Sequence, residues 1–205
     1  MMTKATDIQS MHMRCKLVTR PLMLFWMSLV VLSIAAVAMA EDDPGPAVGE
    51  KFPHTLAAPD RSGDPQTLSA LMGDNGVAVF FVRSVDWCPF CRGQLADVSD
   101  HLARFEAHGV NVVTVSVDEV EEIAAFSAAG DIGYTMLADP AGAINESLGI
   151  RDAQYPVGSA AFGVPRPTLY VIDREGTIRL RYVEPTYRTR PDLEKVLSDI
   201  AALGW

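Results

Sequence analysis

The organising segment of this chain is Val77-Ala-Val-Phe-Phe-Val-Arg-Ser-Val-Asp-Trp-Cys-Pro-Phe-Cys-Arg-Gly-Gln-Leu95. It begins with a continuous apolar run rich in Val and Phe, which is typical of a strand covered on both faces of a sheet. A short turn then leads to two cysteines and to apolar residues at helical spacing, which predict an amphipathic helix. Because open α/β sheets place their sites at the carboxyl ends of strands, we expect a functional site at the cysteines.

Cys88 and Cys91 are predicted to be a redox pair. They lie three positions apart at the start of a helix, close enough for their sulfur atoms to alternate between dithiol and disulfide. The first turn of a helix has unpaired N–H groups and the positive end of the helix dipole, which favour a thiolate at Cys88. Cys88 is therefore the predicted nucleophile, and Cys91 is the predicted resolving cysteine.

The residues beside the cysteines are consistent with a redox site. Pro89 suits an early helical position, because its missing N–H group would have no partner there. Trp87 and Phe90 put aromatic rings on both sides of Cys88. We expect these two rings to form an apolar collar around the sulfur, where a partner chain docks.

Three simpler roles for the cysteines compete with redox chemistry. A structural zinc site needs four ligands, and the third cysteine of the chain, Cys15, lies outside the predicted domain. A purely structural disulfide across so short a loop removes little entropy from the unfolded chain. Inert buried thiols stay open as an alternative. The sequence predicts neither a metal ion nor a cofactor.

The motif Trp87-Cys-Pro-Phe-Cys91 after an apolar strand resembles the thioredoxin superfamily. It is most similar to the alkyl hydroperoxide reductase/thiol-specific antioxidant branch, whose members are peroxiredoxin-like redoxins. The resemblance extends from about residue 48 to about residue 203. It implies an α/β, thioredoxin-like fold in which helices flank a central mixed β-sheet, with an N-terminal hairpin extension.

The first 40 residues predict an export signal. Residues 21–40 carry no charge and follow four basic residues, and Ala38-Met-Ala40 has the small residues that a signal peptidase reads. An uncleaved membrane anchor is the alternative, because the apolar run is about as long as a bilayer is thick. We therefore predict a periplasmic or otherwise extracytoplasmic protein, with a signal peptide or anchor at 1–40, a linker at 41–49 and the domain at 50–205.

The predicted domain is strongly acidic. The chain has 17 basic and 26 acidic residues, of which four basic and one acidic lie in the first 40, leaving 13 and 25 and a formal charge of −12. This charge argues against nucleic acid as a partner and against electrostatic binding to anionic lipid. We expect contact with a membrane only if the N-terminal segment is uncleaved.

A second feature of the resemblance lies in Val164-Pro-Arg-Pro-Thr-Leu-Tyr-Val-Ile-Asp173. Thioredoxin-like proteins place a cis-proline immediately before this strand, packed against the cysteine pair, and Pro167 stands at that position. The resemblance implies a cis Arg166–Pro167 bond. Such a bond would expose the backbone of Arg166 for pairing with a bound peptide and keep metal ions from the sulfur atoms.

The peroxiredoxin pattern fits the residues incompletely. A peroxiredoxin uses a Pro-x-x-x-Thr/Ser-x-x-Cys loop and a distant arginine to polarise the O–O bond of the peroxide. If Cys91 is aligned with the peroxidatic cysteine, Cys88 stands at the Thr position and Pro167 at the arginine position. The other register, with Cys88 as the peroxidatic cysteine, places Val85 at the hydroxyl position and Phe81 at the proline. The candidate substitutes for the absent groups are Arg83, Ser84 and Arg166.

Dithiol–disulfide exchange needs fewer groups, namely a thiolate, a resolving thiol and a docking surface. We therefore predict a thiol-disulfide oxidoreductase in redox homeostasis or antioxidant defence, with Trp87, Pro89, Phe90, Arg166 and Pro167 supporting Cys88 and Cys91. Its predicted partners are protein dithiols or disulfides, or a thioredoxin-type electron donor. The alternative is a thiol peroxidase that reduces hydrogen peroxide or alkyl hydroperoxides. A redox-inactive binding module is the third hypothesis.

Overall fold

The computed structural model of the chain describes residues 44–53 and 57–205. The predicted export segment lies outside the described residues, so its cleavage or retention stays a prediction. Within the described ranges, no helix is long and apolar enough to cross a membrane. Pro44–Trp205 form one compact unit.

A five-stranded mixed sheet lies at the centre of this unit. Its strands have the spatial order β5-β4-β3-β6-β7, in which β3, β4 and β5 are parallel. β6 is antiparallel to β3, and β7 is antiparallel to β6. The strand bounds are β3 Gly76–Phe81, β4 Val110–Ser116, β5 Thr135–Ala138, β6 Thr168–Asp173 and β7 Ile178–Val183. The predicted central mixed sheet is confirmed.

Among the described residues, four α-helices flank the sheet and an N-terminal hairpin precedes it. The hairpin strands β1 and β2 are antiparallel, and a 3₁₀ turn at Leu68–Leu71 follows them. The hairpin of the sequence prediction is therefore confirmed. The bounds of these elements are β1 Ala57–Pro59, β2 Pro65–Thr67, α1 Pro89–Ala107, α2 Val120–Gly130, α3 Ala143–Ser147 and α4 Leu193–Ala202.

Burial of β3 on both faces explains its unbroken apolar sequence. Ala78 and Phe80 point to one face, where they pack with apolar residues of α1 and α4. Val77, Val79 and Phe81 point to the other face. There they pack in a second apolar cluster that includes Phe52 of the N-terminal segment and Tyr170 of the sheet. A strand between two apolar layers has little freedom to shift. The cysteines that follow β3 therefore start from a rigid support.

Two glycines with opposite surroundings test how the described fold is held together. At Gly142 the backbone has φ 65°, and a Cβ atom would lie 2.5 Å from the carbonyl oxygen of Gly163. Gly93 lies on the exposed side of α1, with nothing within 4 Å of its Cβ position. We expect Gly142→Ala to lower the free energy of unfolding by about 2 kcal/mol or more. Gly93→Ala, the matched control, should raise it by about 0.5–1 kcal/mol.

Urea unfolding followed by circular dichroism measures both changes. A Gly142→Ala variant as stable as the unsubstituted chain would contradict the close packing of α3 against the segment at Gly163.

Candidate active site

Cys88 and Cys91 are joined as a disulfide at the N-terminus of α1, with their Cα atoms 5.3 Å apart. Cys88 is the N-cap residue, and its Sγ atom accepts a hydrogen bond from the backbone N–H of Cys91 at 3.3 Å. Pro89 occupies the first helical position. The predicted helix start is confirmed, and one sulfur lies where the helix offers unpaired N–H groups.

A buried carboxylate holds the turn between β3 and Cys88. Asp118, which follows β4, accepts a hydrogen bond from the Ser84 hydroxyl and another from the backbone N–H of Val85, both at 2.6 Å. The Ser84 oxygen in turn accepts from the backbone N–H groups of Asp86 and Trp87, at 3.0 and 3.1 Å. Ser84 and Asp118 are both buried. Ser84 therefore supports the turn and makes no contact with the sulfur atoms.

Cys88 lies at a pocket, whereas Cys91 does not line it. Cys91 is fully buried and Cys88 is 2% exposed, but Cys88 lines a pocket of about 380 Å³. Trp87 and Phe90 lie at its mouth with 44% and 42% of their surfaces exposed, which agrees with the expected apolar collar. The other lining residues are Arg83, Pro89, Tyr155 and Tyr187.

Arg190 contacts both sulfur atoms, and sequence analysis missed it. Its Nη2 atom lies 3.2 Å from Cys91 Sγ and 3.9 Å from Cys88 Sγ. The Nη1 atom donates to the carbonyl oxygens of Tyr187 and Thr189, at 2.9 and 2.5 Å, which fixes the guanidinium in place. The only signal in the sequence is an arginine-bearing loop before the last helix of an otherwise acidic domain. That signal does not indicate where the side chain points.

The Arg190 guanidinium brings a positive charge to the cysteines. Burial lowers its pKa, Glu184 opposes this effect, and the nearby positive charge of Arg83 adds to it. An arginine side chain nevertheless stays protonated in proteins. In the reduced protein a fixed cation beside a thiol lowers the pKa of that thiol, so the dithiol form of this site favours a thiolate.

Arg83 is also buried, at 5% exposure, but it does not contact the sulfur atoms. Its Cζ atom lies 5.1 Å from the ring centroid of Trp87, 4.8 Å from that of Tyr155 and 4.9 Å from that of Tyr187. Its Nε atom has no hydrogen-bond partner among the described residues. The arginine that contacts the sulfur atoms, and so is the candidate to replace the peroxiredoxin arginine, is therefore Arg190 and not Arg83.

The expected cis-proline is wrong. No peptide bond among the described residues is cis, so the Arg166–Pro167 bond is trans. The N–H of Arg166 donates to the carbonyl of Ile150 at 2.8 Å, and the carbonyl of Pro167 accepts from the N–H of Glu184 at 2.9 Å. The Thr168 hydroxyl donates to the Arg166 carbonyl at 2.9 Å. These hydrogen bonds accompany the trans form, which an X–Pro peptide bond prefers by about 0.5–1 kcal/mol. They also occupy the backbone groups of Arg166 that were expected to pair with a bound peptide.

The described residues offer no group of three His, Cys, Asp or Glu side chains placed to hold a metal ion.

Comparison with known proteins places residues 48–181 within the model of the AhpC/TSA family. A Mycobacterium tuberculosis protein with a peroxiredoxin name is 30% identical over 130 residues, which are 63% of this chain and 80% of the relative. Peroxiredoxin Bcp of Escherichia coli is 23% identical over 143 residues, covering 70% of this chain and 88% of that protein. Among solved structures, peroxidoxin BcpB of Mycobacterium tuberculosis has a TM-score of 0.64 at 21% identity, covering 78% of this chain and 97% of that chain. The structural likeness supports the thioredoxin-like fold alone.

Removal of the Arg190 charge should raise the pKa of the reactive thiol in the reduced protein. In Arg190→Gln the thiolate loses its nearby cation, so alkylation by iodoacetamide at pH 7 should slow by roughly tenfold. The pH dependence of alkylation gives the thiol pKa directly. Arg188→Gln is the matched control, because it removes the same charge from an exposed position of the same loop. Equal thiol pKa values in both variants would contradict the role of Arg190.

Proposed function

Because the chain belongs to the AhpC/TSA family, we propose that it is a thiol peroxidase that reduces hydrogen peroxide or alkyl hydroperoxides with Cys88 and Cys91. Family membership makes the chain an oxidoreductase. Several of its relatives carry peroxiredoxin names. These names favour the peroxidase alternative over the thiol-disulfide oxidoreductase, which was the first choice from the sequence.

The contact of Arg190 with the cysteine pair is the observation that carries this proposal. Neither alignment with the peroxiredoxin loop supplied an arginine at the expected position, which weakened the peroxidase hypothesis. Arg190, which lies in a different part of the chain, supplies one. Its guanidinium is 3.2 Å from Cys91 Sγ and 3.9 Å from Cys88 Sγ. Its N–H donors can stabilise both a thiolate and the negative charge that develops on the leaving oxygen.

When the peroxide is reduced, the Cys88 thiolate attacks one oxygen of its O–O bond. We assign the attack to Cys88 because this residue lines the pocket, whereas Cys91 is fully buried and does not. The O–O bond breaks, the leaving oxygen takes a proton and departs as water or an alcohol, and Cys88 becomes a sulfenic acid. The Cys91 thiol then displaces water from the sulfenic acid and forms the disulfide.

The disulfide in the structure is the oxidised end point of this cycle. A dithiol donor of the thioredoxin type returns two electrons and two protons, becoming a disulfide itself while both cysteines become thiols. The exposed rings of Trp87 and Phe90 beside Cys88 give such a donor an apolar surface to contact.

The same exposed rings favour a second candidate function, exchange with disulfides of protein substrates. A reduced Cys88 attacks a protein disulfide by the same chemistry with which it attacks a peroxide. The two functions differ in the bond that Cys88 attacks. In a peroxidase the pocket and Arg190 position the O–O bond of a peroxide, whereas in disulfide exchange Trp87 and Phe90 contact a protein that carries the S–S bond.

Single-turnover reactions of the reduced full chain with hydrogen peroxide test the proposal. The unsubstituted chain should convert its two thiols to the disulfide with one equivalent of peroxide. Cys91→Ser should react once and stop at a sulfenic acid that dimedone traps, because no resolving thiol is present. Cys88→Ser should lose at least about 99% of the peroxide reactivity.

Insulin reduction by the same three proteins distinguishes the second candidate. Turnover of insulin disulfides without any consumption of peroxide would overturn the peroxidase proposal in favour of disulfide exchange. A Cys88→Ser variant that still reacts with peroxide while Cys91→Ser does not would reverse the two cysteine roles.

A further inference from the structure

Arg83 is a buried cation for which the described residues supply no anion. Its Nε atom is completely buried and has no hydrogen-bond partner among the described residues, and the residue as a whole is 5% exposed. Charged side chains are almost never this buried unless they are paired, because the loss of hydration costs several kcal/mol. The guanidinium therefore lacks the partner that its burial calls for.

Three aromatic rings stabilise the charge of Arg83 without satisfying its hydrogen-bond donors. Trp87, Tyr155 and Tyr187 all have ring centroids within about 5 Å of the guanidinium carbon. Cation–π contacts offset part of the cost of desolvation. The five N–H donors of arginine lie in the plane of the group, however, and match the two oxygen atoms of a carboxylate. A site that holds the cation and leaves its donors unused is suited to an anionic ligand.

The pocket next to Arg83 also contains the reacting sulfur. Arg83 and Cys88 line the same pocket of about 380 Å³, together with Phe90 and the three rings. That volume lies at the small end of ligand pockets and fits a compact organic molecule better than a peptide. Four of its seven lining residues are aromatic, and the others are Arg83, Cys88 and Pro89.

The charges around the pocket strengthen this argument. Arg83 and Arg190 are close enough for the first to lower the pKa of the second, so they repel each other inside a chain of net charge −9. Glu184 is the acidic group that opposes the effect at Arg190. An anion bound at Arg83 would relieve the repulsion between the two cations. The pocket therefore concentrates positive charge where the chain as a whole is negative.

We propose that Arg83 binds the carboxylate of the peroxide substrate, so that the enzyme prefers compact organic hydroperoxides that carry a carboxylate and an apolar or aromatic body. This inference rests on the proposed peroxidase function and specifies its substrate class. The carboxylate pairs with the guanidinium, the body of the substrate contacts Trp87, Tyr155 and Tyr187, and the hydroperoxide group faces Cys88. The sulfur takes one oxygen, and the other oxygen leaves with a proton as the alcohol.

Binding of benzoate to the oxidised full chain tests the anion site independently of any turnover. Isothermal titration calorimetry should detect one benzoate per chain, and Arg83→Met should weaken binding by about tenfold or more. Arg83→Lys should keep part of the affinity, because it retains the charge and loses the planar pair of donors. Arg92→Gln is the control for net charge, since Arg92 lies exposed on α1 over the ring of Phe126, outside this pocket.

Kinetics with a matched pair of peroxides test the substrate class. Cumene hydroperoxide and its para-carboxylate differ only in the anionic group, and the reduced chain should react about tenfold faster with the carboxylate. Arg83→Met should abolish this preference, so that the ratio of the two organic-peroxide rates falls from about ten to about one. If Arg83→Met does not fold, the ratio of the rates with the two organic peroxides is compared between the unsubstituted chain and Arg83→Lys, and this comparison tests the inference.

The outcomes separate the two proposals. Reaction with neither organic peroxide nor hydrogen peroxide would refute the peroxidase function, while benzoate binding would still support the anion site. Equal rates for both organic peroxides, or benzoate binding unchanged in Arg83→Met, would overturn the inference and leave the peroxidase function standing. Reduction of the disulfide by thiophenol and by 4-mercaptobenzoate completes the series. A carboxylate preference confined to these thiols would assign the anion to the reductant and overturn the assignment to the peroxide.

Discussion

The hydrogen bonds of one buried carboxylate hold the active site together. Asp118 follows one strand of the sheet and fixes the turn that leaves the neighbouring strand, through the hydroxyl of Ser84 and the backbone N–H of Val85. Because β3 lies between two apolar layers, the turn has a rigid base on one side and the hydrogen bonds of Asp118 on the other. Cys88 becomes the N-cap of α1 as a result, and its position sets which sulfur meets the pocket.

The charge at the site is opposite in sign to the net charge of the whole chain. The chain carries a formal charge of −9, yet two guanidiniums lie within or beside the pocket of Cys88. At short range the buried cations act in a medium of lower dielectric constant, where their effect on a thiolate or a carboxylate is larger than it would be in water. The two nearby guanidiniums therefore affect the charge at Cys88 more than the net charge of the chain does.

The sequence predicted those parts of the structure that depend on neighbouring residues. The buried strand, the turn and the helix that starts at Cys88 follow from local patterns of apolar residues and from Pro89 at the first helical position. Arg190 was missed because its contact with Cys91 joins residues 99 positions apart, and nothing in a loop sequence shows where a long side chain points. The cis-proline was inferred by resemblance alone. The backbone on both sides of Pro167 pairs with Ile150 and Glu184, and those long-range contacts could not be read from the sequence either.

The unequal burial of the two sulfur atoms gives the oxidised site a direction. Cys91 has no exposed surface and Cys88 has a small one that faces the pocket. Under the proposed function, we therefore expect an incoming thiolate to form its mixed disulfide with Cys88, with Cys91 as the leaving group. Arg190 lies nearer to Cys91 than to Cys88, so the departing sulfur receives the stronger stabilisation as an anion. In this proposal, the burial of the two sulfur atoms and the position of Arg190 select the site of attack before any reductant arrives.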